Sequence, residues 1–194
     1  MPEVGRLLEA AAVLTGFLCV WLNVRQNIWT WPITIVSCVL FGLVFFESRL
    51  YGTMGLQGLF IVIAIYGWRS WLTGGTGGGH LHVSSIRLRT GLILAGVTGM
   101  LLMAVHLGLD RYTDASFPLV DALATSMSIT ASWMQARKIL QSWLVWMVTN
   151  LIYVGLYLAS ALYLTLGLYA AYLALAVAGY IAWNRSLRSA PESI

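Results

Sequence analysis

Charged residues are scarce in this sequence. Only 9% of its 194 residues are Asp, Glu, Lys or Arg, whereas 59% are hydrophobic, and the mean hydropathy is +0.81. Soluble domains carry about 25% charged residues, so a soluble fold of this composition could not present a polar surface to water. The composition excludes a soluble enzyme or binding module and predicts an all-α integral membrane protein.

Cysteines and nucleotide-binding motifs are also scarce. The two cysteines, Cys19 and Cys38, lie in apolar stretches and support no disulfide framework. The Gly-rich run at 74–79 lacks the G-K-[ST] ending of a phosphate-binding loop. His80 and His82 follow this run. Two loop histidines without further ligands are usually solvated, so we expect neither a metal nor a cofactor.

Long apolar stretches are what the sequence has instead. A helix needs about 20 residues to cross a bilayer, and seven stretches approach that length. They are 6–24, 30–47, 52–72, 91–109, 117–136, 143–160 and 163–183. None carries an acid or a base at its centre, where ion-coupled transporters commonly place one. The sequence therefore favours seven transmembrane helices and passive transport.

The basic residues orient the predicted spans. Eight of the 11 fall on the side of the C-terminus and three on the side of the N-terminus, whereas six of the seven acids lie on the N-terminal side. By the positive-inside rule the N-terminus is outside and the C-terminus is in the cytoplasm. The net charge of +4 is then a sign of membrane orientation, and we expect no nucleic-acid partner.

The first three spans recur as the last three. Matches at a constant offset of 112 residues include Gly67 with Gly179, Trp71 with Trp183, Trp21 with Trp133, Arg25 with Arg137, and Glu9 with Asp121. Trp29 matches Trp143 at an offset of 114, which predicts a two-residue adjustment in the loop. Four crossings separate equivalent spans, so both copies point the same way through the bilayer.

This pattern predicts a 3+1+3 parallel repeat. Its parts are a three-helix repeat at 1–72, a Gly-rich loop and connector helix at 73–112, and a second three-helix repeat at 113–194. Transporters built in this way hold their cargo near the bilayer midplane, between the repeats.

One stripe of the sixth span predicts a cargo site. Its members follow helical spacing and are Trp143, Trp146, Asn150, Tyr153 and Tyr157. An amide within an aromatic row can bond the substituents of a flat ring that the aromatics stack. Gln57 on the third span and Tyr169 on the seventh, repeat mates at an offset of 112, are further candidates. The plainer interpretation is that these stripes pack against neighbouring helices.

The fifth span has a polar stripe that predicts a pathway wall. It consists of Asp121, Thr125, Ser128, Ser132 and Gln135. Small hydroxyl residues also promote close helix packing, which is the alternative. Asp121 and its repeat mate Glu9 could form an acidic mouth for a cationic cargo. Acids are also favoured in a first helical turn by the helix dipole alone.

Several motifs, in order along the chain, resemble the PnuC family of bacterial vitamin transporters, relatives of the SWEET sugar transporters. They are V-R-Q-N-I-W-T-W-P (24–32), L-Y-G-T-M-G-L-Q (50–57), Y-G-W-R-S-W (66–71), A-R-K-I-L-Q-S-W-L-V-W-M-V-T-N (136–150) and G-Y-I-A-W (179–183). The resemblance covers both repeats and adds little over span four and the 74–90 loop.

The resemblance implies a homotrimer in the bacterial inner membrane that imports nicotinamide riboside by facilitated diffusion. A cytosolic kinase would then trap the product by phosphorylation. The family's aromatic and amide site falls on Trp143, Trp146 and Asn150, with Gln57 from the first repeat. Related branches carry thiamine, the nearest alternative cargo, and others are linked to riboflavin.

Two hypotheses of other classes stay open at this point. A membrane-embedded enzyme acting on lipids could use His80 or His82 as a base, but the sequence offers no accompanying nucleophile or metal cluster. A non-transporting assembly subunit would use the polar stripes only to pack helices. Substitution of Trp146 or Asn150 separates these, because a transporter should lose cargo binding while it still assembles.

Overall fold

The chain folds into seven α-helices in the computed structural model, which describes residues 2–47, 51–75, 79–112, 118–159 and 163–189. The helices are α1 (Pro2–Val24), α2 (Thr30–Glu47), α3 (Tyr51–Thr73), α4 (Leu88–Tyr112), α5 (Pro118–Ala136), α6 (Ser142–Ala159) and α7 (Tyr163–Ser189). The predicted all-α class and the number of helices are confirmed. The largest difference is at α7, which runs six residues beyond its predicted end at 183.

Apolar side chains cover much of the helix surface. By length and composition two helical stretches could cross a membrane, Leu88–Tyr112 and Leu166–Ser189, and three shorter stretches are also apolar. No residue of α4 is buried, and exposed side chains on it include Leu92 and Met100. Exposed apolar surface on this scale is typical of contact with lipid or another protein chain.

The first of two compact units comprises residues 1–82 with 136–138. At its centre Trp31 meets Trp71 edge-on, with ring centroids 5.3 Å apart and ring planes at 89°. The Trp31 ring also covers the backbone of Gly67 so closely that a Cβ there would overlap it. This contact packs α2 against α3, and only glycine leaves room for it.

The second unit comprises residues 83–135 with 139–194, and its interior repeats that arrangement. Trp143 meets Trp183 edge-on, with centroids 5.4 Å apart and planes at 90°. The Trp143 ring covers Gly179, where a Cβ would overlap it. Each of these three residues lies 112 positions after its counterpart in the first unit.

The turns that precede α2 and α6 recur at the same offset. Gln26 and Lys138 both adopt left-handed backbone conformations, with φ of 53° and 48°. In the first turn the Asn27 amide donates to the Leu22 carbonyl at 2.9 Å, and in the second the Ile139 amide donates to Met134 at 3.0 Å. Both are helix-ending turns in which a left-handed residue, usually glycine, satisfies the last carbonyls.

The expected pairing of Trp29 with Trp143 is wrong. Trp29 is 63% exposed, whereas Trp143 is 1% exposed and Trp31 is 4% exposed. The offset stays at 112 through the loop, because the Thr30 and Ser142 amides donate to matching carbonyls of Asn27 and Ile139 at 3.0 and 3.1 Å. Trp31 is therefore the counterpart of Trp143, and the loop needs no two-residue adjustment.

Lys138, one of the eight basic residues assigned to the side of the C-terminus, is buried within the first unit. Its ammonium lies 4.4 Å from the centroid of the Trp71 ring and 3.3 Å from Oε1 of Gln26. Arg137 beside it is exposed and donates to the Tyr66 hydroxyl at 3.0 Å. Burial lowers the pKa of Lys138 from 10.5 to about 8, since desolvation disfavours the charged form.

Candidate functional site

The start of α6 is held by a neighbouring segment of the second unit. The Leu140 amide donates to the Ser84 carbonyl at 2.9 Å. The Gln141 side chain accepts from the Ile86 amide at 2.9 Å and donates to the Ser85 hydroxyl at 2.8 Å. These bonds fix the first turn of α6, and with it the direction in which the following aromatic residues point.

Trp143, the first residue of the predicted stripe, is part of the packed interior. Its ring is 1% exposed, because one face covers Gly179 and an edge contact joins it to Trp183. Its Nε1 is enclosed without a hydrogen-bond partner among the described residues, as is Nε1 of Trp31 in the first unit. In this conformation Trp143 offers no open face to a ligand.

Trp146 and Asn150 lie on the next two turns of α6, about 6 Å apart along the axis. Trp146 is half-buried, and its Nε1 is enclosed without a partner in the described part of the chain. Asn150 is 5% exposed, so its amide lies in the interior of the second unit. Buried polar groups normally find partners, so the unpartnered N–H of Trp146 is available to a ligand, and the Asn150 amide lies one turn beyond it.

Three tyrosines of α6 and α7 contact one another, and the first of them, Tyr153, lies one turn after Asn150 on α6. Tyr153 and Tyr169 have ring centroids 4.6 Å apart at a tilt of 43°, and Tyr169 meets Tyr172 edge-on at 5.9 Å. Tyr153 and Tyr169 were both predicted to bind cargo, and the structure brings their rings into contact; their role in cargo binding stays a prediction. Tyr172 was not among the predicted site residues, although its position three residues after Tyr169 puts it on the same helical face.

The remaining residues predicted for the cargo site, the acidic mouth or a loop base do not belong to this described cluster of α6 and α7. Gln57 is half-buried on α3, in the first unit, whereas the α6 stripe belongs to the second. The side chains of Glu9 and Tyr157 lie outside the described part of the structure. His80 and His82 are exposed on the segment that follows the Gly-rich run.

The predicted polar stripe of α5 is partly engaged in helix bonding. Ser128 is buried and donates to the Ala124 carbonyl of its own helix at 2.8 Å. Gln135 is also buried, whereas Asp121, Thr125 and Ser132 are half-buried. A hydroxyl outside the stripe joins two helices, because Thr130 contacts Thr98 of α4 through a 2.7 Å hydrogen bond. The role of the stripe as a pathway wall stays a prediction.

Comparison with known proteins decides the family. A family model described as nicotinamide mononucleotide transporter matches residues 6–185. This chain belongs to that family. Among its relatives, the riboflavin/roseoflavin transporter RibM of Streptomyces davaonensis is 30% identical over 176 residues, which are 88% of this chain and 81% of RibM. The nicotinamide riboside transporter PnuC of Escherichia coli is 27% identical over 181 residues, covering 80% and 76% of the two chains.

A solved structure supports the same conclusion for the fold. The crystal structure of the vitamin B3 transporter PnuC has a TM-score of 0.73, with 23% identity, over 93% of this chain and 82% of that one. The resemblance to PnuC seen in the motifs is therefore confirmed. These relatives are transporters and not enzymes, which rejects the hypothesis of a membrane-embedded enzyme. Membership also implies a multi-pass protein of the bacterial inner membrane.

Proposed function

We propose that this protein takes up nicotinamide riboside across the bacterial inner membrane by facilitated diffusion. The observation that carries the proposal is the unpartnered indole N–H of Trp146, with the buried amide of Asn150 one turn further along α6. Tyr153, whose ring contacts Tyr169, follows on the next turn of the same helix. Stacking by the aromatic rings and hydrogen bonding by the amide suit a flat ring that carries a carboxamide and a ribose.

The charge of this cargo suits the same groups. An indole face attracts a cation by about 2 kcal/mol when both are desolvated. A membrane potential adds about 2.3 kcal/mol per charge per 100 mV, a roughly fifty-fold inward bias without a coupling ion. Asn150 is uncharged, so an empty site strands no buried ion. Facilitated diffusion of a cation is therefore physically sufficient for uptake.

The proposal includes the architecture around the site. We assign α1–α3 and α5–α7 as the two halves of a 3+1+3 parallel repeat, which the Trp–Gly–Trp contacts recurring 112 residues apart support. The distribution of basic residues supports an outer N-terminus and a cytoplasmic C-terminus. A homotrimer and trapping of the product by cytosolic phosphorylation are proposed from the family resemblance alone. Gln57, Glu9 and the α5 stripe stay predicted contributors.

Riboflavin is the second candidate cargo. It is favoured by the 30% identity to RibM, a riboflavin/roseoflavin transporter. The flavin ring is also flat and aromatic, and its carbonyls could accept from the Trp146 indole or the Asn150 amide. It carries no positive charge at neutral pH, so the membrane potential would not drive its entry. Thiamine, a cation like nicotinamide riboside, is the third cargo to compare.

Calorimetric titration of the purified protein with the three vitamins tests the proposal. We expect saturable binding of nicotinamide riboside that Trp146→Ala and Asn150→Ala each weaken at least several-fold. The matched control is Trp29→Ala, which removes an exposed indole from the loop before α2 and should leave affinity unchanged. Binding of riboflavin or thiamine in place of nicotinamide riboside would reject the assignment of cargo. Equal effects of Trp29→Ala and Trp146→Ala would reject the site.

A further inference from the structure

We infer that Trp143 does not contact the cargo but positions the residues that do, by packing α6 against α7. This inference rests on the proposed function and assigns roles within its site. Trp146 and Asn150 are then the contact residues on α6, whereas Trp143, Gly179 and Trp183 form the support that sets their direction. The W-x-x-W pair of α6 is thereby divided into one structural and one cargo-binding indole.

The duplicated interior carries the argument. Trp31, Gly67 and Trp71 in the first unit reproduce the contacts of Trp143, Gly179 and Trp183, with centroid distances of 5.3 and 5.4 Å and edge-on angles of 89° and 90°. In both units the ring covers a glycine that has no room for a Cβ. Because both units make this contact, we assign it to a role that both units have. That role is the packing of α2 on α3 in the first unit and of α6 on α7 in the second.

The cargo-binding groups, in contrast, are not duplicated. The positions of α2 that correspond to Trp146 and Asn150 are Thr34 and Cys38. Thr34 donates to the Thr30 carbonyl of its own helix at 2.7 Å, and Cys38 is buried. The first unit thus has the supporting tryptophan without an indole or an amide one and two turns further on. Because Trp31 makes the same contact in a unit that lacks these cargo-binding groups, helix packing alone accounts for the contact.

Burial leads to the same conclusion. The Trp143 ring has one face on Gly179 and is 1% exposed, so a ligand could stack on it only if α6 and α7 separated. Trp146 is half-buried and needs no such separation. Because the Trp143 ring touches the α7 backbone, a methyl group added at Gly179 must displace the ring or the helix. That displacement would re-aim Trp146 and Asn150.

Two matched pairs of substitutions separate positioning from plain structural support. Gly179→Ala and Gly67→Ala disturb equivalent contacts, as do Trp143→Phe and Trp31→Phe. We expect all four to lower thermal stability by similar amounts. Only the changes in the second unit should weaken binding of nicotinamide riboside, about three- to ten-fold, as for loss of one or two hydrogen bonds. Equal loss of affinity in both pairs, or none in either, would overturn the positioning role.

Cargo-dependent quenching of tryptophan fluorescence distinguishes positioning from contact. If Trp146 is the indole that stacks, Trp146→Phe should still bind measurably by calorimetry, although more weakly because the indole N–H is lost, and should lose most of the quenching. Trp143→Phe should bind more weakly yet reach the full quenching amplitude at saturation. A reduced amplitude at saturation in Trp143→Phe would show that Trp143 touches the cargo and would overturn the inference alone. If the unaltered protein binds no vitamin, the proposed function fails and the inference fails with it.

Discussion

Replacement of the buried lysine should change how the stability of this protein depends on pH. Lys138 is the only lysine of the chain and is 8% exposed. Its pKa is lowered from 10.5 to about 8 by desolvation, so the contacts with the Trp71 ring and with Gln26 only partly compensate for lost water. The folded protein therefore carries this charge at a cost below pH 8.

Proton linkage gives the sign and the size of the change in stability with pH that Lys138 causes. Between about pH 8 and 10.5 the unfolded chain binds more protons at this lysine than the folded chain does, so stability rises with pH across that window. A shift of about 2.5 units corresponds to on the order of 3 kcal/mol. The unfavourable contribution is fully present below pH 8 and disappears as the unfolded state also loses its proton.

Thermal unfolding in detergent from pH 7 to 10 measures this effect. The unaltered protein should gain several degrees in melting temperature between pH 8 and 10. Lys138→Met should be more stable at pH 7 and nearly independent of pH, since it cannot be charged. Lys138→Arg is the matched control, because it stays charged throughout and should be pH-independent but less stable at pH 10. If the melting temperature of Lys138→Met still rose with pH, the pH dependence of stability could not be assigned to Lys138.

Three further predictions concern α6, its neighbours and the driving force. Asn150→Leu should abolish most cargo binding yet leave the free energy of unfolding within about 1 kcal/mol, because it replaces a buried amide, which is costly to desolvate, by an apolar side chain; a clear loss of stability would show that the amide is structurally bonded. Thr98→Val and Thr130→Val should each cost about 1 kcal/mol, and the double variant should cost less than their sum, since they share one hydrogen bond; additive losses in a double-mutant cycle would contradict it. Uptake of nicotinamide riboside into vesicles should accelerate with an inside-negative potential whereas riboflavin uptake should not; equal responses would show that cargo charge does not set the driving force.

The number and kind of helices could be predicted because apolar length and low charge leave a chain in a bilayer few alternatives. The constant offset of Gly67 and Trp71 from Gly179 and Trp183 could also be recognised in the sequence, since Gly and Trp are distinctive residues. The pairing of Trp29 with Trp143 failed for a physical reason. Residue identity does not reveal which of two nearby tryptophans turns inward, and that depends on which one meets a glycine on the facing helix.

The site was only partly predictable for a similar reason. Helical spacing places Trp143, Trp146 and Asn150 on one stripe, but a stripe does not show where packing ends and an open surface begins. The burial of Lys138 could not be predicted, because a basic residue in a loop is normally solvated. Its burial depends on Trp71 and Gln26, which are far from it in the sequence.

Uptake of radiolabelled nicotinamide riboside into proteoliposomes without any ion gradient tests the proposed function most directly. We predict equilibration faster than in empty liposomes, acceleration by an inside-negative potential, and loss of both in Trp146→Ala and Asn150→Ala but not in Trp29→Ala. No uptake above that of empty liposomes, or uptake that requires a proton or sodium gradient, would contradict facilitated diffusion of this vitamin.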